Sequence, residues 1–354
     1  MDAVILIPAY EPDARLEGYI ESLAGQGFGR IVVVDDGSGE RYRHLFDAIG
    51  ERPFCDVVRH ETNRGKGAAL KTGLAFIRDQ FPNAAAIVTA DSGGQHAPED
   101  CRRVAEALAA SPGGIILGCR SFSLFSVPVR SWIGNRWASA TFGLLHGRWL
   151  ADTQTGLRAF SGSLLPFMLE VPGERFEYEM CVLIAAARQG IRIGTVPIRT
   201  IYENGNAGTH FRPLRDTITI NRLVFASFFR FAGVSLASFA LDQGLAWGFA
   251  AALAAAGVER TGVIWASGFA ARFLSAVFNF SLNRSFVFRS AGRFWPAAWK
   301  YALLCLAVIV LSNAGVTGLV ECGVSRWIAK LVIDVFLYFV GYRVQSAFIF
   351  FARA

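Results

Sequence analysis

The chain has 354 residues, of which 53% are hydrophobic, and its mean hydropathy of +0.37 is too high for an ordinary soluble protein. Its net charge of +7 comes with arginines that cluster beside apolar segments, which favours an anionic membrane surface over nucleic acid as the partner. The six cysteines form no CxxC pair, which excludes a zinc knuckle or a disulfide framework and is typical of a reducing compartment.

The apolar residues are concentrated in the C-terminal part of the chain. Residues 1–210 carry charges throughout, whereas residues 228–354 are dominated by Phe, Ala, Leu, Val and Trp. The N-terminal MDAVILIPAYEPD combines an acidic residue with a very short apolar run, which is not the pattern of a signal peptide. We therefore expect a cytosolic domain over 1–210, a linker over 211–227 and a membrane domain over 228–354.

Short apolar runs alternate with helical patterns in the first domain. The runs are typical of buried parallel strands and lie at 3–7, 31–35, 85–89 and 114–118. The helical patterns lie near 13–25, 40–49, 66–80 and 98–111. This alternation predicts an α/β doubly wound, Rossmann-like sheet, in which ligands bind at the carboxyl ends of the strands.

Polar motifs stand at those strand ends. The first two strands run into PAYEPD (8–13) and VDDGSG (34–39), where an Asp can accept hydrogen bonds from a ribose or a base. NRGKGAALKTG (63–73) is a Gly-rich loop that opens a helix, and Lys66 with an exposed helix N-terminus suits phosphate. The third strand closes on TADSGGQH (89–96), an acidic turn that suits a metal ion beside phosphates. Each motif alone could be a plain loop, but their order is specific.

The linker interleaves arginines with apolar residues. This pattern predicts a helix that lies in the membrane interface, with its basic side chains towards anionic lipid head groups. Its arginines are Arg212, Arg215 and Arg222, and Arg230 continues the pattern just beyond it in RPLRDTITINRLVFASFFRF.

Four apolar stretches follow, each near the length of about 20 residues that spans a bilayer as a helix. They cover about 228–256, 261–282, 297–320 and 326–350. The loop after the second stretch is strongly basic, with Arg284, Arg289, Arg293 and Lys300. By the positive-inside rule this loop is cytosolic, together with the first domain and both termini.

The membrane domain contains an internal repeat and charges within the predicted spans. NFSLNRSFVF (279–288) aligns without gaps to GYRVQSAFIF (341–350), which indicates a helical hairpin used twice. A bundle that anchors the chain is favoured over a transporter-like repeat. Asp242, Arg272 and Asp334 lie at similar predicted depths, so we expect one buried cluster of all three.

The order of the motifs resembles glycosyltransferase family 2 enzymes with a GT-A fold. The resemblance covers nearly all of residues 3–210 and rests on PAYEP, VVVDDGS, NRGKGAA, TADxxGQH, LGCR, DTQTGLRAF and RFEYEM. Within that family the chain looks most like polyprenyl-phosphate glycosyl synthases of the dolichyl-phosphate mannose or glucose type. ARFLSAVFNFSLNRSFVF resembles a GtrA-type domain of four transmembrane helices.

The resemblance implies a hexosyltransferase that moves a sugar from a nucleotide sugar to an undecaprenyl- or dolichyl-type phosphate at the cytosolic face of a membrane. GKGAAL favours a UDP-hexose or UDP-N-acetylhexosamine over GDP-mannose by the same likeness. Self-association through the membrane domain is left open.

The resemblance also assigns residues to the donor. The nucleoside would be held by Pro8, Tyr10, Glu11 and Asp36, with Lys66 nearby. Asp91 and Gln95 would face the donor diphosphate and a Mg²⁺ or Mn²⁺ ion. The family pattern is close to TADxDGQH, and here Gly93 replaces its second Asp. Because Mg²⁺ binds through one or two carboxylates plus substrate phosphates, the expected metal site is weak and depends on the substrate.

On the acceptor side, two arginines match residues that hold the acceptor phosphate, namely Arg120 and Arg130. The sugar and acceptor pocket would be lined by Asn135, Asp152, Gln154, Arg158, Glu177 and Glu179. The residues expected to act in catalysis are Asp91, Arg120, Arg130, Asp152, Arg158 and Glu179.

The chemistry of a lipid phosphate favours phosphate clamps over a catalytic base. A phosphate with a second pKa near 6 is already ionised at neutral pH, so Asp152 or Glu179 is less attractive as a proton acceptor. Positive groups lower the cost of bringing two anions together. Arg158 could instead pair with Asp152, His96 could serve packing or capping, and one of Glu177 and Glu179 could only cap a helix.

Two rival functions are considered. A processive polysaccharide synthase usually shows a QxxRW motif, which this chain does not contain. A flippase or transporter with a regulatory nucleotide-binding domain would need a polar pathway of broken helices. The only feature of the sequence that favours such a pathway is the three charges within the spans.

Overall fold

The computed structural model describes residues 2–120, 129–199, 213–290 and 292–350. Two compact units divide the chain at Val224 and Phe225, which lie within one helix.

A seven-stranded sheet forms the described core of the first unit, in the order β3-β2-β1-β4-β6-β5-β7. Its strands are β1 (Ala3–Ala9), β2 (Arg30–Asp35), β3 (Cys55–Arg59), β4 (Ala86–Thr89), β5 (Gly114–Arg120), β6 (Arg158–Ser161) and β7 (Arg192–Ile198). The strands run parallel, except that β6 is antiparallel to β4 and β5. Since β2 and β4 flank β1, the chain leaves β1 in both directions, and the carboxyl ends of these strands border one crevice.

Helices accompany the sheet and close its core. They are α1 (Arg15–Gly25), α2 (Arg43–Gly50), α3 (Lys66–Gln80), α4 (Pro98–Ala110), α5 (Val129–His146), α6 (Leu165–Glu170) and α7 (Glu177–Gln189). Every residue of β1 and of β4 is buried, as expected for parallel strands covered on both faces. The four predicted strands and the four predicted helices are thus confirmed, whereas β3, β6, β7 and α5–α7 were not predicted.

Long helices make up most of the second unit. The first of these helices begins earlier in the chain, within the first unit. The long helices are α8 (Pro213–Ala255), α9 (Arg260–Leu282), α10 (Phe294–Glu321) and α11 (Arg326–Val344). Within the described residues, three helical segments are long and apolar enough to cross a membrane, namely Ile218–Ala255, Arg260–Val287 and Phe294–Glu321. From Pro213 onward, the predicted linker is the first part of α8 rather than a separate helix.

The fourth predicted span coincides with α11, whose sequence is interrupted by charged residues. They are Arg326, Lys330, Asp334 and Arg343. The helix lies where the fourth span was expected, and its passage through a bilayer stays a prediction.

The two halves of the internal repeat share an unusual backbone feature. Asn283–Val287 and Gln345–Ile349 are both π-helical segments, and they follow α9 and α11 at equivalent positions. Asn283 and Gln345 occupy the same place in the alignment, and Asn283 Nδ2 donates to Gln345 Oε1 at 3.0 Å. The structure therefore supports the predicted repeat.

The charges within the predicted spans form two separate pairs, so the expected buried cluster of all three is wrong: Asp334 is not part of it, and the Arg272 side chain is 77% exposed. Arg272 lies 3.4 Å from Asp242, which also accepts a hydrogen bond from Ser275. Asp334 instead pairs with Lys330 at 3.0 Å. Lys330 stands one helical turn before Asp334 on the same face, and this local partner was overlooked in the sequence.

Candidate active site

Three segments meet at one ammonium group on the carboxyl side of the sheet. Lys66 is the first residue of α3, Asp91 follows β4, and Glu179 lies in the first turn of α7. Lys66 Nζ is 2.7 Å from Asp91 Oδ1 and 2.9 Å from Glu179 Oε2. The side chains of Lys66, Asp91 and Glu179 are 17%, 30% and 12% exposed, so the cluster is largely shielded from water.

Electrostatics keeps this cluster charged. Burial disfavours the ammonium, but the negative charges of Asp91 and Glu179 outweigh it and raise the pKa of Lys66. Burial likewise opposes ionisation of Asp91, but the charge of Lys66 and a hydrogen bond from His96 hold the pKa of Asp91 well below its usual range. The group is therefore a set of ion pairs at neutral pH.

His96 contacts the other oxygen of the Asp91 carboxylate. Its Nε2 lies 3.3 Å from Asp91 Oδ2, and its ring is buried. His96 Nδ1 has no hydrogen-bond partner among the described residues. The sequence suggested only packing or capping for His96, and the structure makes it a neighbour of the central carboxylate.

Gly156 packs directly against Asp91, a contact that was not predicted. A Cβ atom at position 156 would lie 2.3 Å from Asp91 Oδ2, closer than any side chain can approach. Thr89 Oγ1 donates to the Gly156 carbonyl at 2.9 Å and fixes the loop beside the carboxylate. Asp91 thus has little freedom to move on this side.

Asp36 anchors the Gly-rich loop through its backbone N–H groups. Its carboxylate accepts the backbone N–H groups of Arg64 at 2.9 Å and Gly65 at 2.7 Å. His60 Nδ1 lies 2.7 Å from the same carboxylate and Nε2 2.9 Å from Thr72 Oγ1. Asp36 is buried and engaged in positioning Lys66, and its predicted contact with the nucleoside stays a prediction.

The other residues expected at the nucleoside lie at the end of β1. Pro8 is buried inside the strand, Tyr10 is partly exposed and Glu11 is exposed. The Glu11 N–H donates to Ser38 Oγ at 2.9 Å, which ties the end of β1 to the turn after β2. The structure therefore brings Tyr10, Glu11 and the VDDGSG turn to one edge.

The N-terminus of α3 is covered by residues 174–178, so the expected exposure of this helix end is wrong, and its binding of phosphate stays a prediction. The Ala68 N–H donates to the Glu174 carbonyl at 2.8 Å. Gly65 and Gly67 approach residues 174–178 so closely that a Cβ atom would lie 2.6 Å from this segment at either position. The loop presents cationic side chains as well, namely the partly buried Lys66 and the exposed Arg64.

Arg120 and Asp152 form a bidentate ion pair at the end of β5. Arg120 Nε lies 2.7 Å from Asp152 Oδ2, and a terminal nitrogen lies 3.1 Å from Oδ1. Asp152 is completely buried, so this pair fixes the DTQTGLR loop. Arg120 could bind an acceptor phosphate only if its guanidinium contacted the phosphate and Asp152 together.

Arg158 is engaged with neighbouring backbone, and its predicted place in the sugar and acceptor pocket stays a prediction. Its guanidinium donates to the carbonyls of Thr155 at 2.9 Å and Glu179 at 2.7 Å. It thus braces the loop and α7 from the inside and does not pair with Asp152, contrary to the alternative left open by the sequence. Arg130 falls in the first turn of α5, and its side chain lies outside the described residues.

The remaining pocket residues are partly structural. Asn135 Nδ2 donates to the Ala151 carbonyl at 2.7 Å, immediately before Asp152. Glu177 accepts the N–H groups of residues 174 and 175 at 3.0 and 3.2 Å, so it holds the turn before α7 and does not cap the helix itself. Gln154 is exposed beside them.

The residues present do not fit a preformed divalent metal site. Within the described residues, no group of three or more His, Cys, Asp and Glu side chains could hold an ion. Asp91 is already paired with Lys66, Gln95 is partly exposed, and Gly93 contributes no ligand.

Comparison with known proteins agrees with this architecture. The model of Glycosyl transferase family 2 matches residues 4–156, and that of the GtrA/DPMS transmembrane domain matches residues 251–350. The UDP-N-acetylglucosamine–dolichyl-phosphate N-acetylglucosaminyltransferase of Methanococcus voltae is 30% identical over 215 residues, 56% of this chain and 85% of that protein. The chain belongs to glycosyl transferase family 2, and it is a membrane protein.

Two further proteins are similar to this chain, one in sequence and one in structure. The undecaprenyl-phosphate 4-deoxy-4-formamido-L-arabinose transferase of Edwardsiella ictaluri is 28% identical over 199 residues, 53% of this chain and 58% of that protein. The glucosyl-3-phosphoglycerate synthase of Mycobacterium tuberculosis, solved with Mn²⁺, UDP and glucosyl-3-phosphoglycerate, is 20% identical with a TM-score of 0.48. That similarity covers 63% of this chain and 77% of the other.

Proposed function

We propose that the protein transfers a sugar from a nucleotide sugar to a polyprenyl phosphate, with inversion at the anomeric carbon. The observation that carries this proposal is the Lys66–Asp91–Glu179 cluster at the carboxyl side of a family 2 sheet, in a chain that continues into a GtrA/DPMS-type membrane domain. The names of the relatives above mention dolichyl phosphate and undecaprenyl phosphate, which supports a lipid phosphate as the acceptor.

The reaction is a single displacement. An oxygen of the lipid phosphate attacks the anomeric carbon, the bond from that carbon to the nucleoside diphosphate breaks, and the diphosphate leaves with the electron pair. The attacking oxygen is already an anion, so no proton has to be removed. The engagement of Asp152 with Arg120 and of Glu179 with Lys66 is consistent with a site that works without a strong base.

Membrane attachment brings the enzyme to its lipid acceptor. A long polyprenyl chain stays in the bilayer, so an enzyme that spans the same bilayer meets the acceptor head group at the surface. The basic loop that includes Arg284, Arg289 and Arg293 favours an orientation with this loop and the first unit in the cytosol. The product would supply cell-envelope glycans or the modification of glycoconjugates.

The same proposal specifies the nucleotide of the donor and the strength of cation binding. A UDP-sugar is favoured over GDP-mannose, and any Mg²⁺ or Mn²⁺ at Asp91 and Gln95 binds weakly and only with the donor. The ion pair that already occupies Asp91 supports this weak binding.

The test is incubation of membranes that contain the full chain with radiolabelled UDP- and GDP-sugars, followed by organic extraction. We expect label in an extractable lipid that releases the sugar in mild acid, and none with Asp91→Asn. Label in a non-extractable polymer would instead indicate a processive synthase, and label that stays in the aqueous phase for every donor would contradict the transfer.

A further inference from the structure

The cation in contact with Asp91 and Glu179 is a side chain of the protein itself. Lys66 Nζ stands between Asp91 and Glu179, at 2.7 and 2.9 Å from their carboxylate oxygens. This is a position that a divalent ion bound by the same two carboxylates would need. A metal could enter only by displacing an ammonium that is held by two largely buried ion pairs.

The surroundings hold Lys66 and Asp91 in this arrangement. Gly156 and Thr89 pack the loop against Asp91, and His96 contacts its second oxygen. The backbone before Lys66 is fastened by the Gly65 N–H to Asp36. The Asp91 carboxylate and the backbone at Lys66 are therefore both held in place.

We infer that the Lys66 ammonium is the resident cation of this site, that it binds the donor diphosphate directly, and that it takes the place of a tightly bound divalent ion. An ammonium is a compact point charge with three donors, so it can keep a carboxylate partner while it binds phosphate oxygens. The inference rests on the proposed function in one respect, since the ligand is taken to be the diphosphate of a nucleotide sugar.

Mn²⁺ binding to the nucleotide-free full chain in detergent tests the first part, with unbound Mn²⁺ measured by electron paramagnetic resonance. Removal of the ammonium leaves two carboxylates without a counter-ion, so Lys66→Met should bind Mn²⁺ at least about tenfold more tightly than the wild type. Lys71→Met, which removes a lysine from the same helix, should behave as the wild type. Equal Mn²⁺ affinity in the wild type and in Lys66→Met would overturn the inference, provided that both variants keep the wild-type melting temperature.

Nucleotide affinity tests the second part, with UDP and GDP titrated by calorimetry in EDTA and again in Mn²⁺. The wild type should bind one of them in EDTA, and Mn²⁺ should change its affinity by less than about threefold. Lys66→Met should lose about tenfold or more in EDTA, as expected for a lost charge-assisted hydrogen bond, and Lys66→Arg should retain more of the affinity.

The outcomes separate this inference from the proposed function. Binding that appears only with Mn²⁺ would overturn the role of Lys66 and leave transfer to the lipid intact. Binding in EDTA that depends on Lys66, together with no label in the lipid fraction, would contradict the acceptor and preserve the inference. Failure of both nucleotides to bind under either condition would contradict both.

Discussion

At the scale of single residues, the site depends on contacts between side chains that are far apart in the sequence. Lys66 and Glu179 are separated by 113 positions, and Gly156 meets a carboxylate 65 positions before it. The motifs predicted which residues gather at this edge of the sheet. They could not predict which of them pair, because pairing depends on distances of a few tenths of an ångström between loops.

The close approach of Gly156 to Asp91 predicts a large effect from a small substitution. Gly156→Ala would place a methyl group on the Asp91 carboxylate and should lower turnover by about a hundredfold, since displacements of about 1 Å at a reacting centre can have effects of that size. The measurement is transfer of labelled sugar to extractable lipid. Gly18→Ala, in an open position on α1, is the matched control and should retain wild-type turnover.

The lowered pKa of Asp91 predicts how stability responds to acid. A carboxyl group whose pKa is lower in the folded state stabilises the fold above its unfolded pKa of about 3.9, and this contribution is lost as the pH falls below that value. Melting temperatures of the full chain between about pH 6 and pH 3 should therefore fall less steeply in Asp91→Asn than in the wild type. Parallel curves would show that Asp91 is not ion-paired in the folded protein.

Arg130 can be tested from its motif alone. If it holds the acceptor phosphate, Arg130→Ala should reduce lipid glycosylation without changing nucleotide affinity in calorimetry. Arg136→Ala, on the same helix, is the comparison for a general loss of positive charge. Unchanged turnover in Arg130→Ala would remove it from the site.

At the scale of elements, apolar runs identified β1, β2, β4 and β5 because buried parallel strands consist almost entirely of apolar residues. The unpredicted strands lack that signal. β6 includes Arg158 and follows a polar loop, while β7 is an edge strand that is exposed or half-buried along most of its length. Their positions depend on tertiary pairing, and the reversed direction of β6 has no local signature.

The anchor between β2 and the Gly-rich loop predicts a loss of stability. Asp36→Ala would leave the buried Gly65 N–H without its acceptor, which should lower the free energy of unfolding by about 1–3 kcal/mol. Chemical denaturation of the full chain, followed by a probe in the first unit, measures this difference. Asp47→Ala removes an exposed ion pair with Arg59 and should leave stability nearly unchanged.

At the scale of the whole molecule, composition alone separated a charged unit from an apolar one, because a bilayer and water require opposite surfaces. The predicted spans fall on α8 to α11. The course of the first helix was not predictable in this way, since a change in composition near residue 228 does not require a break in the backbone. α8 continues through it from Pro213 to Ala255.

The Asp242–Arg272 pair offers a test of the membrane unit. The Asp242 side chain is 7% exposed and that of Arg272 is 77% exposed, so Arg272→Leu would leave a buried carboxylate without its counter-charge. We expect a lower melting temperature in detergent and a recovery in the double variant with Asp242→Asn. Arg260→Leu, at the start of the same helix, is the control. A stable Arg272→Leu protein would show that the pair is dispensable.

The hydrogen bond between Asn283 and Gln345 joins the two halves of the repeat at equivalent positions. Asn283 Nδ2 also donates to Asn279 Oδ1 at 2.8 Å within its own helix, so the bond to Gln345 is one of two that this buried amide makes. A bond between equivalent positions couples the two repeats at this point, so neither amide can be replaced without removing a partner of its counterpart in the other repeat.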